Sequence, residues 1–170
     1  MQIRNLLLTV VTVMAIFSLA SYTACKNDPC QNVICLNLGA CENGSCVCPT
    51  GFEGARCEVF SRDKFIKTFN GHDTCDYTTR DTTAYKSYPV YFRALLDDPR
   101  SMMMRNILND MRDSAVCTML GTDSFSFQGS NNATNFIGKG RMSHDSLFLD
   151  YHVEQDTTGY DCRYFAQGLR

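Results

Sequence analysis

Ten of the 170 residues are cysteine, the residue type here with the most chemistry to offer: a thiolate can ligate a metal, attack an electrophile, accept a lipid or close a disulfide. Six crowd together as Cys30, Cys35, Cys41, Cys46, Cys48 and Cys57, with gaps of 4, 5, 4, 1 and 8 residues. Cys25 precedes them, and Cys75, Cys117 and Cys162 are spread over the rest of the chain. Zinc fits the crowd poorly, because paired zinc ligands are usually separated by about two to four residues and only Val47 lies between Cys46 and Cys48. Disulfides fit it well. Six cysteines permit many pairings, however, and spacing alone does not choose among them.

The remaining reactive groups do not assemble into a catalytic pattern. His72, His144 and His152 are scattered, each beside polar turn or strand residues. His144-Asp145-Ser146 contains the atoms of a triad, but neighbours in sequence rarely meet in triad geometry. Asp97-Asp98 precedes Pro99 and reads as a turn. There is no glycine-rich phosphate loop, no nucleophile elbow and no recognisable pair of glycosidase carboxylates. The expectation is a non-enzyme with no cofactor and no metal. A formal net charge of −2 offers no basic field for nucleic acid.

Disulfides need an oxidising compartment, and the N-terminus supplies a route to one. After Arg4, the run Leu6 to Ala20 is uncharged and mostly apolar. It is short for a membrane span, which needs about 20 residues, and suits the apolar region of a secretory signal. Residues 1–24 are therefore expected to be a signal peptide. Ser18-Leu19-Ala20 permits ordinary cleavage before Ser21, whereas Tyr22-Thr23-Ala24-Cys25 resembles the lipobox of bacterial lipoproteins, with tyrosine where leucine is usual. That resemblance implies lipidation of Cys25 and a polar tether over 25–29, in which Lys26-Asn27-Asp28 resembles a surface-export signal of some diderm bacteria. A structural Cys25 is the alternative. Several acyl chains would anchor the mature chain firmly.

Cys46-Val47-Cys48-Pro49-Thr50-Gly51-Phe52-Glu53-Gly54-Ala55-Arg56-Cys57 is similar to the closing half of an EGF-like domain: C-x-C, glycine, an aromatic, a second glycine and the last cysteine. The resemblance implies an EGF-like domain over 30–58 and that family's pairing: Cys30 with Cys41, Cys35 with Cys46, Cys48 with Cys57. So small a unit buries too little apolar surface to fold without crosslinks. Asn43-Gly44 reads as a tight turn, Gly51 and Gly54 as positions of positive φ or close approach, and Phe52 as a cover for the disulfides. Calcium-binding members carry acidic or amide side chains directly before the first cysteine; here Pro29 stands there, so calcium is not expected.

Residues 62–170 change character. Cysteines become sparse, and short alternating stretches are separated by turn signals about every ten residues, which reads as antiparallel β-structure. Leu147, Leu149, Tyr151 and Val153 share one strand face, with Asp150 and His152 on the other. Ser124 to Phe127 alternate, as do Tyr160, Cys162, Tyr164 and Ala166, while Gly138-Lys139-Gly140 reads as a bend or bulge. Over Arg100 to Arg112 two readings stay open: Met103, Ile107 and Met111 have helical spacing, while Met102-Met103-Met104 suits a barrel strand.

Roughly eight short strands look like a closed barrel of the lipocalin or calycin type, close in character to the lipocalin-like β domains of bacterial surface lipoproteins. Phe69-Asn70-Gly71 is similar to the opening of such barrels, although the chain has no tryptophan. A β-sandwich is the runner-up. First and last strands of a closed barrel are neighbours, so Cys75 and Cys162 are expected to pair, and Cys117, between apolar residues, to be a buried free thiol.

Asp81-Thr82-Thr83, Asp113-Ser114-Ala115, Asp145-Ser146-Leu147 and Asp156-Thr157-Thr158 resemble the Asp-(Ser/Thr)-apolar acceptor motif of a bacterial O-glycosylation system, and Asn132-Ala133-Thr134 and Asn43-Gly44-Ser45 are sequons that matter only in a eukaryote. The expected function is a cell-envelope lipoprotein of the outer membrane or cell surface. It would act as a non-catalytic binding or adhesion module, its EGF-like spacer displaying a β-barrel. Its partners are the membrane, through the lipid on Cys25, and a protein, glycan or small apolar ligand; nucleic acid is excluded. The alternative is a soluble secreted EGF-like adhesion or signalling protein.

Overall fold

A computed structural model describes residues 10, 12–14, 28–76, 83–84, 87–131, 134–155 and 158–167. Cys25, the cleavage motifs and most of the expected signal peptide lie outside the described residues. The described part is a disulfide-rich module followed by a closed antiparallel barrel.

The module opens with a hairpin of β1 (Ala40–Glu42) and β2 (Ser45–Val47), in which Cys41 faces Cys46 across the ladder. Its turn, Asn43-Gly44, has both residues at positive φ, the conformation that asparagine and glycine tolerate best. A second ladder pairs β3 (Phe52–Glu53) with β4 (Val59–Phe60), and the rings of Phe52 and Phe60 stand 5.6 Å apart. Three disulfides, Cys30–Cys41, Cys35–Cys46 and Cys48–Cys57, hold these short pieces together. They replace a core that so few residues cannot build.

The barrel is entered through a 3-10 helix, Ser61–Phe65. Eight strands follow one another around the wall: β5 (Thr68–Asp76), β7 (Tyr88–Ala94), β8 (Ser101–Arg105), β9 (Ser114–Met119), β10 (Ser124–Asn131), β11 (Thr134–Ser143), β12 (Ser146–Gln155) and β13 (Thr158–Ala166). A two-residue strand, β6 (Thr83–Ala84), pairs with the far half of β5. Pairing of β13 with β5 closes the sheet, so no sandwich forms. Cys75 and Cys162 are partners in that closing ladder and are joined by a disulfide.

Over Arg100 to Arg112 the strand reading holds, and the bend read at Gly138 to Gly140 is corrected. Arg100 to Arg112 is not a helix: β8 ends at Arg105, Asn106 turns the chain through a left-handed conformation, and only a short 3-10 turn, Ile107–Asn109, follows. The four-residue spacing of Met103, Ile107 and Met111 is therefore accidental. Gly138-Lys139-Gly140 makes no bulge either, because β11 keeps unbroken register with β12 from Thr134 to Ser143. The glycines serve the interior instead. A Cβ on Gly140 would lie 2.1 Å from Phe125 Cζ, and one on Gly138 2.7 Å from Phe127 Cζ, so the missing side chains make room for rings.

The bore is packed by side chains. Phe65 caps the end that faces the module, 5.1 Å from Phe125, whose ring also meets Phe92 at 5.7 Å and Phe127 at 6.1 Å; Phe127 reaches Tyr151 at 6.0 Å. All of these side chains are buried, together with Met102, Met104, Cys117, Leu147 and Leu149. Edge and tilted ring contacts of this kind add to the burial term.

The join between module and barrel is also built. Arg62 is only 7% exposed, and its Nη1 donates to the carbonyls of Leu95, Asp98 and Ser101 at 2.5–2.6 Å, gripping the β7–β8 loop. Its guanidinium also sits 5.5 Å from the centre of the Phe60 ring. Lys64 bridges Glu53 of the module at 2.9 Å and Asp123 of the β9–β10 turn at 2.8 Å. Burial alone would lower the Lys64 pKa; the two carboxylates outweigh it and hold the ammonium above its ordinary value.

Candidate functional site

Inward positions of β5 alternate as Phe69, Gly71, Asp73 and Cys75, which takes a carboxylate into the bore. Asp73 is fully buried and accepts a short hydrogen bond from the Tyr88 hydroxyl. Tyr164, its cross-strand partner, places its hydroxyl 2.9 Å from the Phe69 carbonyl and 3.0 Å from that of Tyr88. Gly71 makes this possible, since a Cβ there would lie 2.7 Å from Tyr164 Cζ. Burial pushes the Asp73 carboxyl up to about 6, offset in part by the hydroxyls of Tyr88 and Tyr151 and the nearby His72. Burial likewise raises Tyr88, Tyr151 and Tyr164, with the Asp73 charge adding to each. Asp73, Tyr88, Tyr151 and Tyr164 are all buried, so the cluster bears on the stability of the barrel.

The outer wall is different. Register carries one row of outward residues across six adjacent strands: Val116, Gln128, Ile137, His152, Asp161 and Asp76. Val116, at one end, is 45% exposed, and Ile137, between Gln128 and His152, is 60% exposed, so the row presents two open apolar side chains among polar ones. Hollows of about 460 and 560 Å³ both rest on Ile137 and His152, and a third of about 400 Å³ rests on Val116, Gln128 and Ile137. Together they form one shallow strip with Ile137 at its centre. His152 Nδ1 lies 2.8 Å from Asp161 Oδ1, and in the adjoining row Arg163 stands 3.6 Å from Asp150. Nearer the module a third outward row stacks Arg141 over Phe148 at 4.2 Å, Phe148 against Phe165 at 5.0 Å and Phe165 against His72 at 6.2 Å.

An exposed isoleucine edged by amide, imidazole, carboxylate and guanidinium groups has the mixed apolar and polar character of a contact surface. Among the described residues no group of three or more His, Cys, Asp or Glu side chains is arranged to hold a metal ion. Eight of the cysteines singled out in the sequence, Cys30, Cys41, Cys35, Cys46, Cys48, Cys57, Cys75 and Cys162, are in disulfides. Cys117 is free and buried, and desolvation pushes its thiol up, away from reactivity. His144 and Asp145, at positive φ, form the β11–β12 turn, and His152 alone of the histidines lies in the strip. Sequence reasoning missed the strip, because a row across six strands exists only once register is known. It also passed over Asp73, although the alternation of β5 points it inward.

No protein-family model, no curated protein and no solved structure matches the chain.

Proposed function

We propose that the chain is a cell-envelope lipoprotein, anchored through lipid on Cys25, in which an EGF-like spacer holds out a lipocalin-like barrel as a non-catalytic binding or adhesion module. The observation that carries the binding part is the contrast between a bore filled with rings and a strip of hollows on the outer wall around Ile137. A ligand then meets the outside of the wall, unlike the internal cavity that many barrels of this size enclose. The apolar run before Cys25 and the four disulfides support export to an oxidising space. The paired strands and glycine turns of residues 30–58, with disulfides linking first to third, second to fourth and fifth to sixth cysteine, support the EGF-like reading. The meander closed by β13 on β5 supports the lipocalin-like one.

The anchoring part is tested by the mass of the mature N-terminus. A blocked, acylated Cys25 is expected, with Cys25→Ala moving from the membrane to the soluble fraction. A mature chain starting at an unmodified Ser21 would overturn it and leave a soluble secreted protein.

A further inference from the structure

Leu38 is 98% exposed and holds φ at 63°. It shares a tight turn with Asn37, at φ 49°, closed by the Gly39 amide donating to the Leu36 carbonyl at 2.9 Å. Two left-handed residues in succession are the geometry for which asparagine followed by glycine is best suited. The same module uses that solution at Asn43-Gly44, with φ of 51° and 86°. Asn37 is compensated at its place, because its Nδ2 donates to the Cys57 carbonyl at 2.7 Å. Leu38 is not. The comparison within this chain is Leu108, also left-handed at φ 54°, which is half-buried and packs against the barrel core. One strained leucine gains burial in return; the other is held in water.

The strain is not isolated. Ile34 is 66% and Leu36 40% exposed, so apolar side chains emerge at every second residue while Cys35 between them is tied to Cys46. Apolar side chains exposed at alternate positions, the last of them held at a conformational cost, point to a contact surface. Charge indicates what it contacts. From Asp28 to Phe60 the module carries the carboxylates of Asp28, Glu42, Glu53 and Glu58 against one guanidinium, Arg56, which donates to the Ile34 carbonyl at 3.1 Å; with Glu53 paired to Lys64 at 2.9 Å, an acidic excess remains. An acidic excess is repelled by anionic headgroups and attracted to basic protein surfaces.

We propose that the Leu36–Gly39 turn is an anchor, with Leu38 as its tip, for a partner protein whose pocket is apolar at the floor and rimmed by Lys or Arg. The anchor is separate from the Ile137 strip and stands whether or not that strip binds.

The test uses the full mature chain as bait for phage-displayed random peptides, with Leu38→Gly, Leu38→Asn and Ile137→Asp variants compared. Selected peptides are expected to combine an apolar or aromatic residue with Lys or Arg and to weaken as salt is raised. They should lose roughly tenfold or more in affinity on Leu38→Gly and Leu38→Asn while keeping it on Ile137→Asp. Because glycine relaxes the turn, Leu38→Gly should leave the melting temperature unchanged or raise it by a few degrees. A melting temperature that falls makes Leu38 structural and overturns the proposal. Recovery of no peptide that depends on Leu38 overturns it too, and a Leu38-dependent dimer in sedimentation velocity replaces the partner with a second copy of the chain.

Discussion

The module and the barrel reach a fixed fold by opposite means. From 28 to 60 the chain buries little: Ile34, Leu36, Leu38, Val47 and Val59 all face solvent, and three disulfides at sequence separations of 11, 11 and 9 do the holding. The barrel buries a continuous column of rings and has one disulfide, Cys75–Cys162, which closes a separation of 87 residues. Crosslinks act on the unfolded ensemble, whereas a packed core acts on the native state. The difference teaches where each part has freedom to vary. A module held by sulfur can leave its apolar side chains outside for contact, while a barrel held by packing has to spend them inside.

The comparison is broken most completely by reduction. Cys30, Cys35, Cys41 and Cys46 are partly exposed, whereas Cys75 and Cys162 are buried. Mild reductant followed by alkylation should label Cys30, Cys35, Cys41 and Cys46 first, leave Cys75 and Cys162 bridged, and abolish amide protection in the β1–β2 hairpin. Each module bridge contributes on the order of 3 kcal/mol, so the module should not survive the loss of all of them. Simultaneous loss of protection in β11 and β12 would show that the two parts are one cooperative unit.

The reciprocal break is Phe125→Ala, which removes the ring that Phe65, Phe92 and Phe127 share. With Gly140 opposite there is no side chain to fill the space, so a cost of about 3–5 kcal/mol is expected in thermal unfolding of the barrel. Protection in the β1–β2 hairpin should persist.

A smaller effect of opposite sign comes from Asp73. Its carboxyl titrates near 6 when folded against an ordinary 3.8, so between those values the native state binds more protons than the unfolded chain. Barrel stability therefore falls as pH rises from about 4 to about 6 and is level above, by an amount on the order of 3 kcal/mol. Asp73→Asn should raise the melting temperature at pH 7.5, leave it little changed at pH 4, and flatten the profile between them. An unchanged profile would place the titration elsewhere.

What was legible in the sequence divides along the same line. The β-rich class and single strands such as Leu147 to Val153 were readable because a half-buried strand writes its burial as alternation. Functions of side chains that depend on what lies across the wall were not. Gly138 and Gly140 read as a bend until register sets them opposite Phe127 and Phe125. The Ile137 strip needs six strands in register, and Arg62 looks like any surface arginine until the β7–β8 loop is folded over it.

Arg62 has one more consequence. A flexible joint would let the module and barrel sample many separations; three carbonyls gripping one guanidinium remove that joint. A restrained junction limits the separations open to the Leu36–Gly39 turn and the Ile137 strip. A ligand long enough to touch both gains the second contact at a high effective concentration, and one of the wrong span gains nothing. Were the proposed turn and the proposed strip both to bind, a fixed junction would select ligands by length as well as by chemistry.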